Sequence, residues 1–158
     1  MKLDQTDIKI LNILQTDAHI TNLNLSKEVG ISPPTMLERV RRLESSGIIK
    51  KYIALIDAEK VGQNITAFVQ VSLAVHQMNS VDEFRRSIDN LDEVLECYHI
   101  SGEDDFLLKV TVRSIKEYER FVLEKLSMLK GVSKVKTNFC LSVFKHETKL
   151  TIERDDNE

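Results

Sequence analysis

The run Gly30-Ile31-Ser32-Pro33-Pro34 restricts what this chain can fold into more than any other five residues in it. Ser32 is a residue type whose hydroxyl takes up an orphan N–H at a helix start. Pro33, at the first helical position, has no N–H to leave unpaired and a φ already suited to the helix. A helix therefore begins abruptly at Pro33. Just upstream, Thr21 is placed to cap a helix of barely two turns that carries Leu25 and Val29 at i and i+4, and Gly30 stands where a left-handed terminating residue is wanted. Two helices separated only by Gly30, Ile31 and Ser32 must cross at a steep angle, which is the helix-turn-helix arrangement. Ile31 is positioned to plug a small core from within the turn.

Asp4 predicts the cap of a preceding helix, with Asp7 in its first turn and Ile8, Leu11 and Leu14 at helical spacing, running to about Asp17. On the helix opened by Pro33, Met36 or Leu37, Val40 and Leu43 share one face, while Thr35, Glu38, Arg39 and Arg42 fall largely on the other. A short helix that packs by one face and presents basic residues on the other fits the major groove of duplex DNA. The plainer alternative is a solvated face, with Glu38 and Glu44 pairing with Arg42 and Arg41. Gly47 ends this helix, and Ile48 to Ile56 is rich in β-formers with Lys50 and Lys51 among them, predicting a strand or small wing that touches phosphates. The candidate DNA contacts are Ser32, Thr35, Glu38, Arg39, Arg42, Lys50 and Lys51.

A formal net charge of -3 sits oddly with a nucleic-acid binder until the chain is divided. Residues 1 to 60 hold nine Lys and Arg against eight Asp and Glu, giving +1; the remainder holds 13 against 17, giving -4. The excess is useful only locally, from Met36 to Lys51, where five basic residues face two acidic ones. Acidic residues interrupt the N-terminal apolar positions, unlike a signal peptide, and no apolar run approaches the ~20 residues of a membrane helix. A cytoplasmic protein with no membrane partner is expected. Cys97 and Cys140 are too few and too far apart for a disulfide framework and read as small buried strand residues.

Beyond residue 60 the periodicity changes. Phe68 to Val75 alternates as a half-buried strand, with Val69, Val71, Leu73 and Val75 on one side. Ser80 and Glu83 form a capping box ahead of Val81, Phe84, Ile88 and Leu91. Val94 to Ser101 and Phe106 to Val112 make a hairpin about the turn Gly102-Glu103-Asp104-Asp105. Ser114 and Glu117 repeat the capping signal before Tyr118, Phe121, Val122, Leu126 and Leu129; Gly131 then stops the helix and a fourth strand lies within Val132 to Lys145. The order β-α-β-β-α-β is the ferredoxin-like unit, two helices on one face of a four-stranded antiparallel sheet. Apolar residues on the other face imply a covering subunit, so at least a dimer is expected. The fold class is α+β, with a helix-turn-helix domain at 1–60, a ferredoxin-like domain at 61–152 and an acidic tail at 153–158.

Several motifs in this order resemble the Lrp/AsnC (leucine-responsive, feast/famine) regulators: Leu3-Asp4-x-x-Asp7-x-x-Ile10-Leu11, Leu25-Ser26-x-x-Val29-Gly30-Ile31-Ser32-Pro33, Glu38-Arg39-Val40-Arg41-Arg42-Leu43-Glu44 and Gly47-x-Ile49-x-x-Tyr52. Farther on, Val94-x-Glu96-Cys97-Tyr98-x-x-x-Gly102-x-x-Asp105-Phe106 and Gly131-Val132-x-x-x-x-Thr137 are similar to that family's amino-acid-metabolism regulatory (RAM, ACT-like) domain. The likeness spans nearly the whole chain. It implies a winged helix-turn-helix, homodimers formed through the second domain, often octamers of four dimers, and an amino-acid effector bound between dimers near Gly102, Glu103, Asp104 and Asp105. Gly102 would let backbone N–H groups approach an effector carboxylate, Asp104 or Asp105 would hold its ammonium, and Thr137 would add a hydroxyl. His19 departs from the family, where arginine is frequent, and the adjacent acids Asp104 and Asp105 leave the effector's identity open.

An enzyme is the first competing class, because ferredoxin-like folds host many chemistries. His19, His76, His99 and His146 lack metal-ligand spacing, and neither a glycine-rich phosphate loop nor a nucleophile motif is present, so no catalysis, metal or cofactor is expected. A DNA-binding architectural protein that ignores metabolites is the second.

Overall fold

The computed structural model describes residues 2–74 and 78–153, with backbone only at 78–80. Its secondary structure runs α1 (Gln5–Leu14), α2 (Asn22–Val29), α3 (Pro33–Ser45), β1 (Ile65–Leu73), α4 (Met78–Ile88), β2 (Val94–His99), β3 (Phe106–Val112), α5 (Ile115–Arg120) and β4 (Val132–Phe139). Two compact units result, one from Met1–Leu55 with Lys145–Glu158 and one from Ile56–Phe144. The expected boundary after residue 152 thus gives way to a return of the chain into the first unit at Lys145.

In the first unit the three caps lie where their residue types predict. Asp4 accepts from the Asp7 backbone N–H at 2.8 Å while the Asp7 carboxylate accepts from the Asp4 N–H, Thr21 accepts from Asn24, and Ser32 from Thr35. Gly30 closes α2 at φ 86°, a conformation that costs an L side chain about 1–2 kcal/mol. Ile10, Leu11, Leu25, Met36, Val40 and Leu43 form the core, with Ile31 packed against it from the turn. Helix α1 stops at Leu14 rather than near Asp17, where the Thr16 N–H leaves the α pattern for the tighter bond to Ile13, three residues back.

Of the strand or small wing expected over Ile48 to Ile56, the strand does not form, since no neighbouring segment supplies a ladder and β-propensity without a partner gives no sheet. Instead Ile49 packs against the core with its N–H on the Leu43 carbonyl, and the Tyr52 hydroxyl donates to Glu44. The returning chain from Lys145 also packs on this unit. Leu150 donates its N–H to Gln15 Oε1 at 2.7 Å and accepts from Gln15 Nε2 at 3.2 Å, while Ile152 packs against the core.

The second unit has the sheet order β2-β3-β1-β4, all pairs antiparallel, as the ferredoxin-like reading requires. Ala67, Val69, Val71 and Leu73 alternate inward and join Phe84, Phe106, Leu108, Val110, Tyr118 and Phe121 beneath the helices. Strand β1 starts at Ile65, ahead of Phe68; Val75 and His76 lie outside the described residues. Helix α4 begins at Met78, before the expected Ser80 cap. Ser114 caps α5, but Glu117 accepts from the Arg113 N–H rather than completing the box on Ser114. Helix α5 then widens into a π turn over Phe121–Lys125 and ends tightly at Leu126–Met128.

The sheet face away from the helices is less apolar than expected. Phe68 and Tyr98 are exposed there, but Glu96 pairs with Lys109, and Gln70, Lys134, Lys136 and Asn138 share the surface. The cysteines also differ from their expected burial: Cys97 is exposed on edge strand β2 and Cys140 half-buried after β4, both as free thiols.

Candidate nucleic-acid interface and ligand turn

Pro33 and Pro34 occupy the first positions of α3, and the hydroxyls of Ser32 and Thr35 lie 2.8 Å apart at its exposed start. With 100° between successive helical residues, the buried Met36, Val40 and Leu43 place Pro34, Glu38 and Ser45 on the opposite face, with Arg41 on one flank and Thr35 and Arg42 on the other. Glu38 and Arg41 are exposed and, among the described residues, neither joins an ion pair; Lys50 and Lys51 are likewise exposed. His19 is exposed as well, its backbone N–H on the Asp17 carboxylate.

Arg39 and Arg42 are oriented differently from the expectation that they project toward DNA. Arg39 Nη1 lies 2.6 Å from Asp4 Oδ2 and 2.9 Å from Asp7 Oδ1, and Arg42 Nη2 reaches both Asp7 oxygens at 2.9 and 2.8 Å. The Asp7 side chain is 1% exposed, whereas those of Arg39 and Arg42 are 24% and 47% exposed. The pairs fasten α3 to the start of α1. The Asp7 N–H and the Arg39 guanidinium hold the Asp4 carboxyl below its usual range, and Asp4 in turn raises Arg39. Neither Glu38 nor Glu44 takes these arginines. Asp7 is the ion-pair partner that sequence reading missed; its acidic side chain looked like a simple helix-dipole partner, 32 to 35 residues from the cations it binds.

In the second unit the turn between β2 and β3 is pinned to the end of β1. Asp105 accepts the Leu73 N–H at 2.7 Å through Oδ2 and donates its own N–H to the Val71 carbonyl. Asp104 is buried, and its Oδ1 accepts from Ser72 Oγ at 2.7 Å and from Lys134 Nζ at 3.2 Å. Gly102, at φ 147°, and Glu103 stand exposed at the tip. Thr137 is not part of this cluster. It sits opposite Val69 on the helix-covered face and bonds the Tyr118 hydroxyl, whereas Lys134, opposite Ser72, lies on the open face. Ser72 and Lys134 thus belong to the cluster with no local sequence signal to announce them. No group of three His, Cys, Asp or Glu side chains among the described residues is placed to hold a metal.

Residues 3–50 match the winged helix-turn-helix DNA-binding family, and residues 66–150 match the Lrp/AsnC ligand binding domain. The chain belongs to the Lrp/AsnC family. It is 35% identical over 151 residues to the transcriptional regulator AzlB of Bacillus subtilis, covering 96% of each chain. It is 37% identical over 150 residues to the leucine-responsive regulatory protein of Escherichia coli strain K12, covering 95% of this chain and 92% of that one. Among solved structures, a transcriptional regulator of Neisseria meningitidis in complex with L-Met superimposes with a TM-score of 0.88 at 37% identity, over 95% of this chain and 97% of that one.

The Lrp/AsnC assignment places the Asp7 ion pairs inside the DNA-binding domain, and Ser72, Asp104 and Lys134 inside the ligand-binding domain. No helix among the described residues is long and apolar enough to cross a membrane.

Proposed function

We propose that this Lrp/AsnC chain is a cytoplasmic transcriptional regulator, not an enzyme, whose assembly or sequence-specific DNA binding responds to an amino acid or related metabolite and needs no metal or cofactor. The observation that carries the reading is α3, which opens on capped Ser32 and turns Thr35, Glu38 and Arg41 outward from a fully packed opposite face. Ser32, Thr35 and Glu38 meet the groove, Lys50 and Lys51 meet phosphates, and Arg39 and Arg42 serve the same surface from behind. The chain works as a homodimer, and as an octamer of four dimers, covering the sheet face on which Phe68 and Tyr98 are exposed. Two symmetric α3 helices then stand ~34 Å or a multiple apart, so the operator is close to palindromic.

The effector is an amino acid recognised at the Gly102–Glu103–Asp104–Asp105 turn. The complex of the Neisseria relative with L-Met supports that ligand class. Exposed Gly102 leaves backbone room for a carboxylate. Thr137, turned under α5, supports the site only through Tyr118.

A ligand-independent architectural role draws on one specific observation: Asp104 and Asp105 already accept hydrogen bonds from their own chain. DNA-site selection with purified protein, with and without the twenty amino acids, separates the readings. The regulator reading expects a palindromic site and at least one amino acid that raises Tm by mass action or changes particle size. A selected site with no response to any amino acid favours the architectural role, and no selected site at all overturns the regulator reading.

A further inference from the structure

The charges on α3 do not all belong to DNA. Of its three arginines, two are engaged by carboxylates of α1, and the four charges of Asp4, Asp7, Arg39 and Arg42 sum to zero. Asp7 is the pivot of the group, because it is the buried member and takes hydrogen bonds from both guanidinium groups. Handing either arginine to a phosphate would leave that buried carboxylate short of a partner. Arg41 lies on the other flank of the helix, about 160° around from Arg39 and about 100° from Arg42, exposed and one turn beyond Glu38.

Resting on the DNA-binding reading above, we propose that Arg41 is the α3 cation that neutralises a DNA phosphate, and that Asp7 is a positioning residue. By holding Arg39 and Arg42, Asp7 fixes the rotation of α3 on α1 and keeps two flexible cations from binding any duplex indiscriminately. Discrimination between sequences then falls to Thr35 and Glu38, which offer a hydroxyl and a carboxylate to base edges; a carboxylate accepts from the amino group of cytosine. The electrostatic part of binding falls to Arg41 with Lys50 and Lys51.

The test is the salt dependence of binding by the full-length chain to its selected site and to a random duplex. Neutralising one phosphate contact changes the slope of log K against log salt by about 0.9. Arg41→Ala is expected to flatten the slope by about that amount on both duplexes, and Arg42→Gln to leave it unchanged. Asp7→Asn is expected to steepen the slope by about 0.9 or more as guanidinium groups are released, and to lower the ratio of selected to random affinity at least about tenfold. Adding Arg42→Gln to Asp7→Asn is expected to bring the slope back. A residue that merely supported folding would move the melting temperature and neither of these readouts. A slope that falls with Arg42→Gln and ignores Arg41→Ala overturns the assignment, as does an Asp7→Asn protein with slope and ratio intact. If Asp7→Asn does not fold, the Arg41 and Arg42 variants alone decide. Failure of the wild-type chain to select any duplex sinks the DNA-binding reading itself, a result distinct from all of these.

Discussion

Ser72 Oγ donates to Asp104 Oδ1 across 2.7 Å, and Lys134 Nζ stands 3.2 Å from the same oxygen. The Ser72 hydrogen bond, with Lys134 adding to it, holds the Asp104 carboxyl below its ordinary range. A carboxylate depressed in the folded state contributes stability above its unfolded value of about 3.9 and loses it as pH falls through the folded value. Asp104→Asn is therefore expected to lower Tm at pH 7, with the gap from wild type closing below about pH 4. Thermal melts from pH 3 to 7 check this; a gap independent of pH would mean that the carboxylate charge contributes nothing.

Asp7→Ala is expected to cost about 2 to 3 kcal/mol in urea unfolding, toward the low end for a broken buried pair because Arg42 keeps access to water. Asp4→Ala removes an N-cap and a more exposed ion pair and is expected to cost about 1 kcal/mol. The ordering matters more than either value. Equal losses would mean that Asp7 acts only through the cap it shares with Asp4.

Gly30→Ala isolates backbone strain, because a Cβ at that position meets no heavy atom within 4 Å. The expected loss is about 1 kcal/mol from φ alone, and Gly30→Asn should lose less, since asparagine tolerates the left-handed region. Equal urea midpoints for the three proteins would contradict the conformation at the end of α2.

All three tyrosines are pushed above their ordinary value. Burial and then Glu44 bring Tyr52 up to about 12, the Glu96 hydrogen bond raises Tyr98, and burial raises Tyr118. Alkaline difference spectra should consequently show less tyrosinate at pH 10 while the fold persists than after unfolding. Glu44→Gln should bring one of the three transitions down.

Local chemistry was readable in this chain wherever it acts over a few residues. Asp4, Thr21, Ser32 and Ser114 cap the helices they precede, and Val69, Val71 and Leu73, from the alternation read over Phe68 to Val75, lie on the buried face of β1. What escaped is what distant partners decide. Periodicity put Arg39 and Arg42 away from the core, but nothing nearby in sequence indicates that Asp7 would claim them. Ile48 to Ile56 has the composition of a strand and no strand to pair with. The β-rich stretch after Phe139 likewise leaves the sheet once the Cys140 N–H has met the Thr66 carbonyl. In the ligand turn, Asp104 and Asp105 were legible as acids, but not as groups already satisfied by Ser72, Lys134 and the Leu73 N–H.

The pairing of Gln15 with Leu150 spans 135 positions of sequence. During synthesis α1 therefore emerges long before the segment that covers its flank, and Gln15 must stay solvated until β4 has been made. The helix-turn-helix is thus completed by residues that follow the whole sheet domain in the chain. Its closure carries the entropy of a loop of that length, a cost that grows only slowly as the intervening domain lengthens.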